Sequence, residues 1–200
     1  MTVNAQVDPE LERTALLIMD VQPEIVGRFG DRELVHRLAT AADAARAAGV
    51  LVIYVKVGFR SGHPEINLRN RSFAAVAAGG GFVEGVSSRL DPELLPAAED
   101  LYVTKRRVSA FAGSDLELVL RARGIESLVL AGIATSGVVL STLRQAADLD
   151  FGLTVLSDGC VDSEPEVHQI LLEKVFPRQA EVITTAAWRA RLAVGRAQPA

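Results

Sequence analysis

Apolar positions along this chain follow two patterns that alternate from one end to the other. One is a short unbroken apolar run, seen at 14–20, 50–56, 101–104, 127–131, 153–157 and 180–184. Most of these runs are apolar at successive rather than alternate positions. That is expected of strands covered on both faces, as in a parallel sheet.

Between the runs, apolar residues recur at helical spacing. A helix over 32–48 is stopped by Gly49, a residue suited to a left-handed C-terminal cap. A second, over 115–123, follows Ser114, with Glu117 completing the pattern of a capping box and Gly124 ending it. A third covers 136–149. Ser163, Pro165 and Glu166 open a fourth that runs to about Val175, and a fifth is expected over 185–194 with a tail at 195–200. Six runs joined by crossover helices predict a three-layer α/β/α, Rossmann-like fold with a six-stranded parallel sheet, read as one domain over 1–200. Residues 58–95 break the alternation and are too long for a plain connection. They are read as an excursion that covers a site or joins subunits. Within it, Gly79–Gly81 lacks the lysine and hydroxyl residue of a phosphate loop, so a flexible linker is the expectation.

Composition narrows the function classes. With 49% hydrophobic and 23% charged residues, the 200-residue chain is globular in character and long enough to bury a core. A net charge of -4 and a densest basic run of only Lys105, Arg106 and Arg107 argue against nucleic acid as a partner. No apolar stretch reaches the ~18 residues of a membrane span, and the acidic start of the chain does not read as a signal peptide. The one cysteine, Cys160, excludes an intramolecular disulfide and a cysteine-based zinc site. A cytoplasmic protein acting on a small molecule, with no metal and no cofactor, is the expectation.

Open α/β sheets bind ligands at the carboxyl ends of their strands. Three such ends carry suggestive residues. The first run closes on Asp20, with Gln22 beyond it; the third is followed by Lys105; the fourth passes through Gly132, Ile133, Ala134, Thr135, Ser136 and Gly137 into a helix with Val138. The start of that helix offers unpaired N–H groups suited to an oxyanion or a carboxylate. Each feature also has a plain structural reading. An acid after a strand can cap the next turn, a lysine is usually solvated, and small residues permit close helix–strand packing.

The order of the three segments is more specific. Residues 16–22 (LLIMDVQ), 105–111 (KRRVSAF) and 131–142 (AGIATSGVVLST) resemble those of the isochorismatase-like hydrolases, also called cysteine hydrolases, and the resemblance extends from Thr14 to about Thr184. It implies that Asp20 and Lys105 are catalytic. It also implies substrate contacts from Gln22, Arg106 and the turn Ile133–Gly137, a cis peptide between Ile133 and Ala134, and a homodimer or homotetramer. The nucleophilic cysteine of the family falls on Val138, which has no nucleophilic atom. Three readings follow. Vinyl-ether hydrolysis uses an acid and needs no thiol. A catalytically inactive member would bind a small molecule or serve in an assembly. A Cys160-dependent amidase would recruit the one thiol, placed just past the fifth run.

Overall fold

The computed structural model describes residues 8–29 and 32–195. The strands are β1 (Thr14–Met19), β2 (Leu51–Val57), β3 (Leu101–Lys105), β4 (Ser127–Ile133), β5 (Gly152–Val161) and β6 (Glu181–Ile183). They form one six-stranded sheet in the order β3-β2-β1-β4-β5-β6, and every pairing is parallel. The order reverses between β1 and β4. A ligand crevice in a doubly wound sheet is therefore expected at the carboxyl ends of these two strands.

The unbroken apolar runs have the cause anticipated from the sequence. All of β1 is buried, with Ala15, Leu17 and Met19 in one apolar layer and Leu16 and Ile18 in the other. The first layer is closed by α5 (Leu116–Ala122), α6 (Leu140–Asp148) and the segment around Leu171 and Phe176. The second is closed by α3 (Arg32–Ala47) and α8 (Thr185–Gly195), whose Trp188 and Leu192 pack into it. Each fully buried Leu or Ile contributes about 1.5–3 kcal/mol relative to an exposed one, so these two layers dominate the stability of the fold. Two short helices, α1 (Pro9–Glu12) and α2 (Pro23–Phe29), flank β1, and α7 (Pro165–Ile170) follows β5. Among the described residues, no helix is long and apolar enough to cross a membrane.

Several local expectations are corrected. Ser114 does not complete a capping box: its hydroxyl accepts from the N–H of Leu116, while Glu117 turns outward to pair with Arg121. The helix after Ser163 takes no cap from that serine and narrows to α7, followed by a wider-turned segment, Leu171–Val175. Gly79–Gly81 is not a linker. Gly79 ends α4 (Arg71–Gly79), Gly80 supplies its left-handed cap at φ 66°, and the Gly81 carbonyl meets His63 Nε2 at 2.8 Å. Residues 196–200 of the expected tail lie outside the described residues.

The excursion at 58–95 has its own small core of Phe59, Phe73 and Phe82 with Val57. It is fastened to the sheet at its start, where the Gly58 N–H donates to the Lys105 carbonyl at 3.2 Å, and to β2 and α3 near its end. The Ser88 hydroxyl donates to the Val57 carbonyl at 2.7 Å, and the Arg32 guanidinium grips Asp91.

Candidate active site

Asp20 is the first residue past β1, and its backbone leaves the strand abruptly. Its N–H still donates to the Val55 carbonyl on β2 at 2.8 Å, but its φ is +59°, in the left-handed region that aspartate tolerates better than most residues. This turn carries the carboxylate onto the sheet rim. Lys105 is the last residue of β3, paired in register with Val57. Although β2 lies between their strands, Lys105 Nζ reaches Asp20 Oδ2 at 2.8 Å. Both side chains are nearly sealed, with residue exposures of 6% for Asp20 and 2% for Lys105. The ammonium also donates to the Arg107 carbonyl at 3.0 Å.

The two oxygens of Asp20 differ. Oδ2 faces the ammonium, while Oδ1 is buried and has no hydrogen-bond partner. Native interiors rarely leave a carboxylate oxygen in that condition. Burial acts on this carboxyl more strongly than the adjacent cation, and its pKa is lifted above the ordinary carboxylate range.

β4 delivers the third component. Met19 pairs with Gly132, so the chain beyond Gly132 emerges beside Asp20. Gly132 adopts φ +139°, and a Cβ there would lie 2.1 Å from the Met19 carbonyl oxygen. Only glycine lets the two backbones approach so closely. The Ile133–Ala134 peptide is cis, as the family resemblance implies. A wide-turned segment, Thr135–Val139, follows, kinked at Gly137, and leads into α6. Val138 is 2% exposed and belongs to the same apolar layer as Met19, Val103 and Ala110.

Not every residue expected to meet a substrate is available to do so. Gln22 is fully buried and clamps the end of β2, accepting from Val57 N–H at 2.8 Å and donating to Val57 O at 3.2 Å. The guanidinium of Arg106 is held by Glu65 and Glu84. Within the turn, the Ser136 N–H donates to Asp162 Oδ2 at 2.7 Å, and the Gly137 N–H donates to the Ala134 carbonyl. Thr135 is buried, with its hydroxyl 2.8 Å from His168 Nδ1 on α7.

Asp162 and His168 thus brace the turn, and neither was singled out for that role from the sequence. For Asp162 the signal was hidden, since the fifth apolar run reads as ending at 157 and only the observed extent of β5 to Val161 makes this acid the counterpart of Asp20 after β1. Burial raises the Asp162 carboxyl, but hydrogen bonds from Ser136, Glu164 and Ser163 outweigh it and hold the group below its usual range. Burial likewise lowers His168, against the opposing effect of Asp162.

Cys160 lies inside β5 rather than past it, opposite Gly132 on β4. It is buried, and burial pushes its thiol up to about 12, a state that disfavours the thiolate. Among the described residues, no group of three His, Cys, Asp or Glu side chains is placed to hold a metal ion.

Comparison with known proteins agrees with this fold. The isochorismatase domain family matches residues 14–187. The isochorismatase family protein YecD of Escherichia coli O157:H7 is 36% identical over 84% of this chain and 90% of its own length. The ureidoacrylate amidohydrolase RutB of Stutzerimonas stutzeri is 34% identical over 78% of this chain and 73% of its own. An isochorismatase family protein of Burkholderia thailandensis superimposes with a TM-score of 0.78 at 29% identity, covering 91% of this chain and 96% of that one. Sequence, fold and relatives converge, and the chain belongs to the isochorismatase-like hydrolase family.

Proposed function

We propose that this chain hydrolyses a small metabolite by proton donation from Asp20, held in place by Lys105, with no covalent intermediate at position 138. The observation that carries this reading is the buried Oδ1 of Asp20, which has no partner while Oδ2 rests on the ammonium. With burial raising its pKa, the carboxyl is suited to carry a proton and present it to a substrate. Vinyl-ether hydrolysis uses such a group. The proton passes from Asp20 to the terminal carbon of the C=C bond, whose π pair becomes the new C–H bond. The ether oxygen stabilises the resulting cation, and water adds to the cationic carbon and returns a proton to the Asp20 carboxylate. The hemiketal then collapses to a carbonyl compound and an alcohol. Lys105 orients the carboxyl and keeps its pKa from rising further.

Acyl transfer through a thioester would require a nucleophile that position 138 lacks, and the Cys160 thiol lies within β5. The RutB relative, named for a small amide, supports a small metabolite as the class of substrate without extending its own bond to this chain. We infer a cytoplasmic homodimer or homotetramer as the setting, on the family resemblance. One observation favours a second reading, binding without turnover: Val138 fills the place of the nucleophile with a sealed apolar side chain.

An assay of vinyl ethers such as isochorismate beside small amides separates these readings. Vinyl-ether turnover is expected, with a rate that falls as pH rises through the elevated Asp20 pKa, because the protonated acid is the active form. Asp20→Asn is expected to lower the rate at least ~10²-fold while ligand binding persists. Amide turnover that survives Asp20→Asn unchanged would refute the mechanism. No turnover of any compound, together with binding of a small metabolite, would favour the second reading.

A further inference from the structure

β3 is one of the two outer strands of the sheet, and the direction of its main-chain groups can be followed residue by residue. The Lys105 carbonyl accepts from the Gly58 N–H, and Lys105 lies in register with Val57, so its main chain faces β2. Successive residues of a strand turn these groups to opposite sides. The main chains of Leu101 and Val103 therefore also face β2, while those of Tyr102 and Thr104 face away from the sheet. The same alternation holds on β2, where the Val55 carbonyl faces β1 and accepts from the Asp20 N–H. Among the described residues, no hydrogen bond outside the sheet reaches the N–H or the carbonyl of Tyr102 or Thr104.

An unpaired edge is a template for another strand, and proteins blunt such edges by shortness, charge or proline. The opposite edge is blunted: β6 has three residues, and its Glu181 is paired with Arg191. β3 has five residues, and the two with unpaired main chains are a tyrosine and a threonine, both good strand formers. The flank beside them is apolar. Tyr102 is 53% exposed, with its ring 6.1 Å from that of Tyr54 in the second layer. The Tyr54 hydroxyl donates to the Leu94 carbonyl, which brings Leu95, 72% exposed, to the same side of the sheet. The two ends of the strand differ in charge. Exposed Glu99 stands before its start, and past its end the Arg107 guanidinium is bonded to the carbonyls of Arg106 and Glu65 and to no carboxylate.

We propose that this edge pairs with itself: β3 of a second copy of this chain lies antiparallel to it, about a two-fold axis through Val103, and the two sheets become one. The alternation selects that axis. Centred on Val103, Tyr102 stands opposite Thr104 of the second copy, the pair exchanges both of its N–H···O bonds, and the symmetry repeats the exchange. Centred on Tyr102 or Thr104, the axis would leave one of the two opposite a residue outside β3. The same register sets an aromatic side chain against a β-branched one across the strands, a favourable pair. It also brings Glu99 of one copy toward Arg107 of the other, so the charges at the strand ends are complementary. This rests on the homodimer or homotetramer inferred above and names its interface. Because Lys105 ends β3, the strand that carries the ammonium is then held on both sides.

The test combines sedimentation over a concentration series with amide hydrogen exchange, both on the full chain. The parent protein is expected to associate. The amides of Tyr102 and Thr104 are expected to exchange slowly when concentrated and quickly on dilution, while those of Val103 and Lys105, which face β2, stay protected throughout. Thr104→Pro removes an outward N–H and spares the ladder with β2. Tyr102→Lys places on the edge the charge that proteins use to blunt one. Each variant is expected to weaken association at least about tenfold, taking a dimer to monomer or a tetramer to dimer, with the urea midpoint held near that of the parent. Should Thr104→Pro fail to fold, Tyr102→Lys and exchange on the parent decide. The proposal is overturned if the folded variants associate like the parent, or if the Tyr102 and Thr104 amides exchange alike at every concentration. Association that persists in this way leaves the homo-oligomer standing on another surface. A parent that stays monomeric across the series overturns the homo-oligomer and this interface together.

Discussion

Val138 and Cys160 occupy one apolar layer, yet they make opposite predictions as thiols. Cys160 is inside a strand with its thiol pushed up to about 12, so iodoacetamide should leave the native protein unlabelled. In Val138→Cys, a thiol would stand in the turn into α6, at the position that the family resemblance gives to the nucleophile. Mass spectrometry after brief iodoacetamide treatment is expected to show one adduct on Val138→Cys and none on the parent protein. An inert Val138→Cys would mean that this pocket no longer supports the family's thiol chemistry. The residues legible in sequence were those whose role depends on strand position. Asp20 and Lys105 each end a run of apolar residues, and the rim is where such ends gather. Gln22 and Arg106 could not be judged in that way. Their partners, Val57, Glu65 and Glu84, come from other segments, and only the folded arrangement shows that these polar groups are already occupied.

Among the elements, the closest approach is between β1 and β4. Gly132→Ala would place a methyl group 2.1 Å from the Met19 carbonyl oxygen, at a φ that side chains avoid. It is expected to cost at least ~3 kcal/mol, the upper part of the usual overpacking range, because neither backbone can yield without disturbing Asp20. Gly27→Ala in α2 meets nothing within 4 Å and serves as the control, with stability expected to hold or rise slightly in urea unfolding. Strand and helix positions were largely readable because apolar runs and helical spacing persist wherever both faces of a sheet are covered. β5 was read too short. Asp158 and Gly159 look like a turn, but the register with β4 shifts between Leu130 and Gly132, and the strand continues to Val161. Asp158 is then spent on the start of α8, where its carboxylate accepts from both the N–H and the hydroxyl of Thr185. A carboxylate on the strand that caps a helix 27 residues later has no local signature.

At the scale of the molecule, the carboxyl rim carries the Asp20–Lys105 pair and the opposite rim carries a brace. Arg46 on α3 forks onto Asp100 just before β3, and its Nη2 also donates to the Tyr54 hydroxyl on β2 at 3.1 Å. Tyr54 in turn reaches the Leu94 carbonyl at the end of the excursion. Burial is the chief cause that pushes the Tyr54 hydroxyl up to about 12, so it remains protonated and able to donate. Asp100 is buried and also accepts from the Ala97 N–H. Asp100→Ala would strip the partly buried Arg46 of its main partner. It is expected to cost about 3 kcal/mol in urea unfolding, toward the lower end for breaking a buried pair, with no direct change at the carboxyl rim.

The excursion leaves β2 at one rim and returns to β3 from the other, with a core of its own in between. Sheet and insertion are therefore separate pieces of chain. Asp20 and Lys105 are built into strand ends that cannot shift without dismantling the sheet, whereas the Phe59, Phe73 and Phe82 cluster hangs from a single insertion. Such a division means that the insertion can be altered with less disturbance to the strand ends than any change within the sheet.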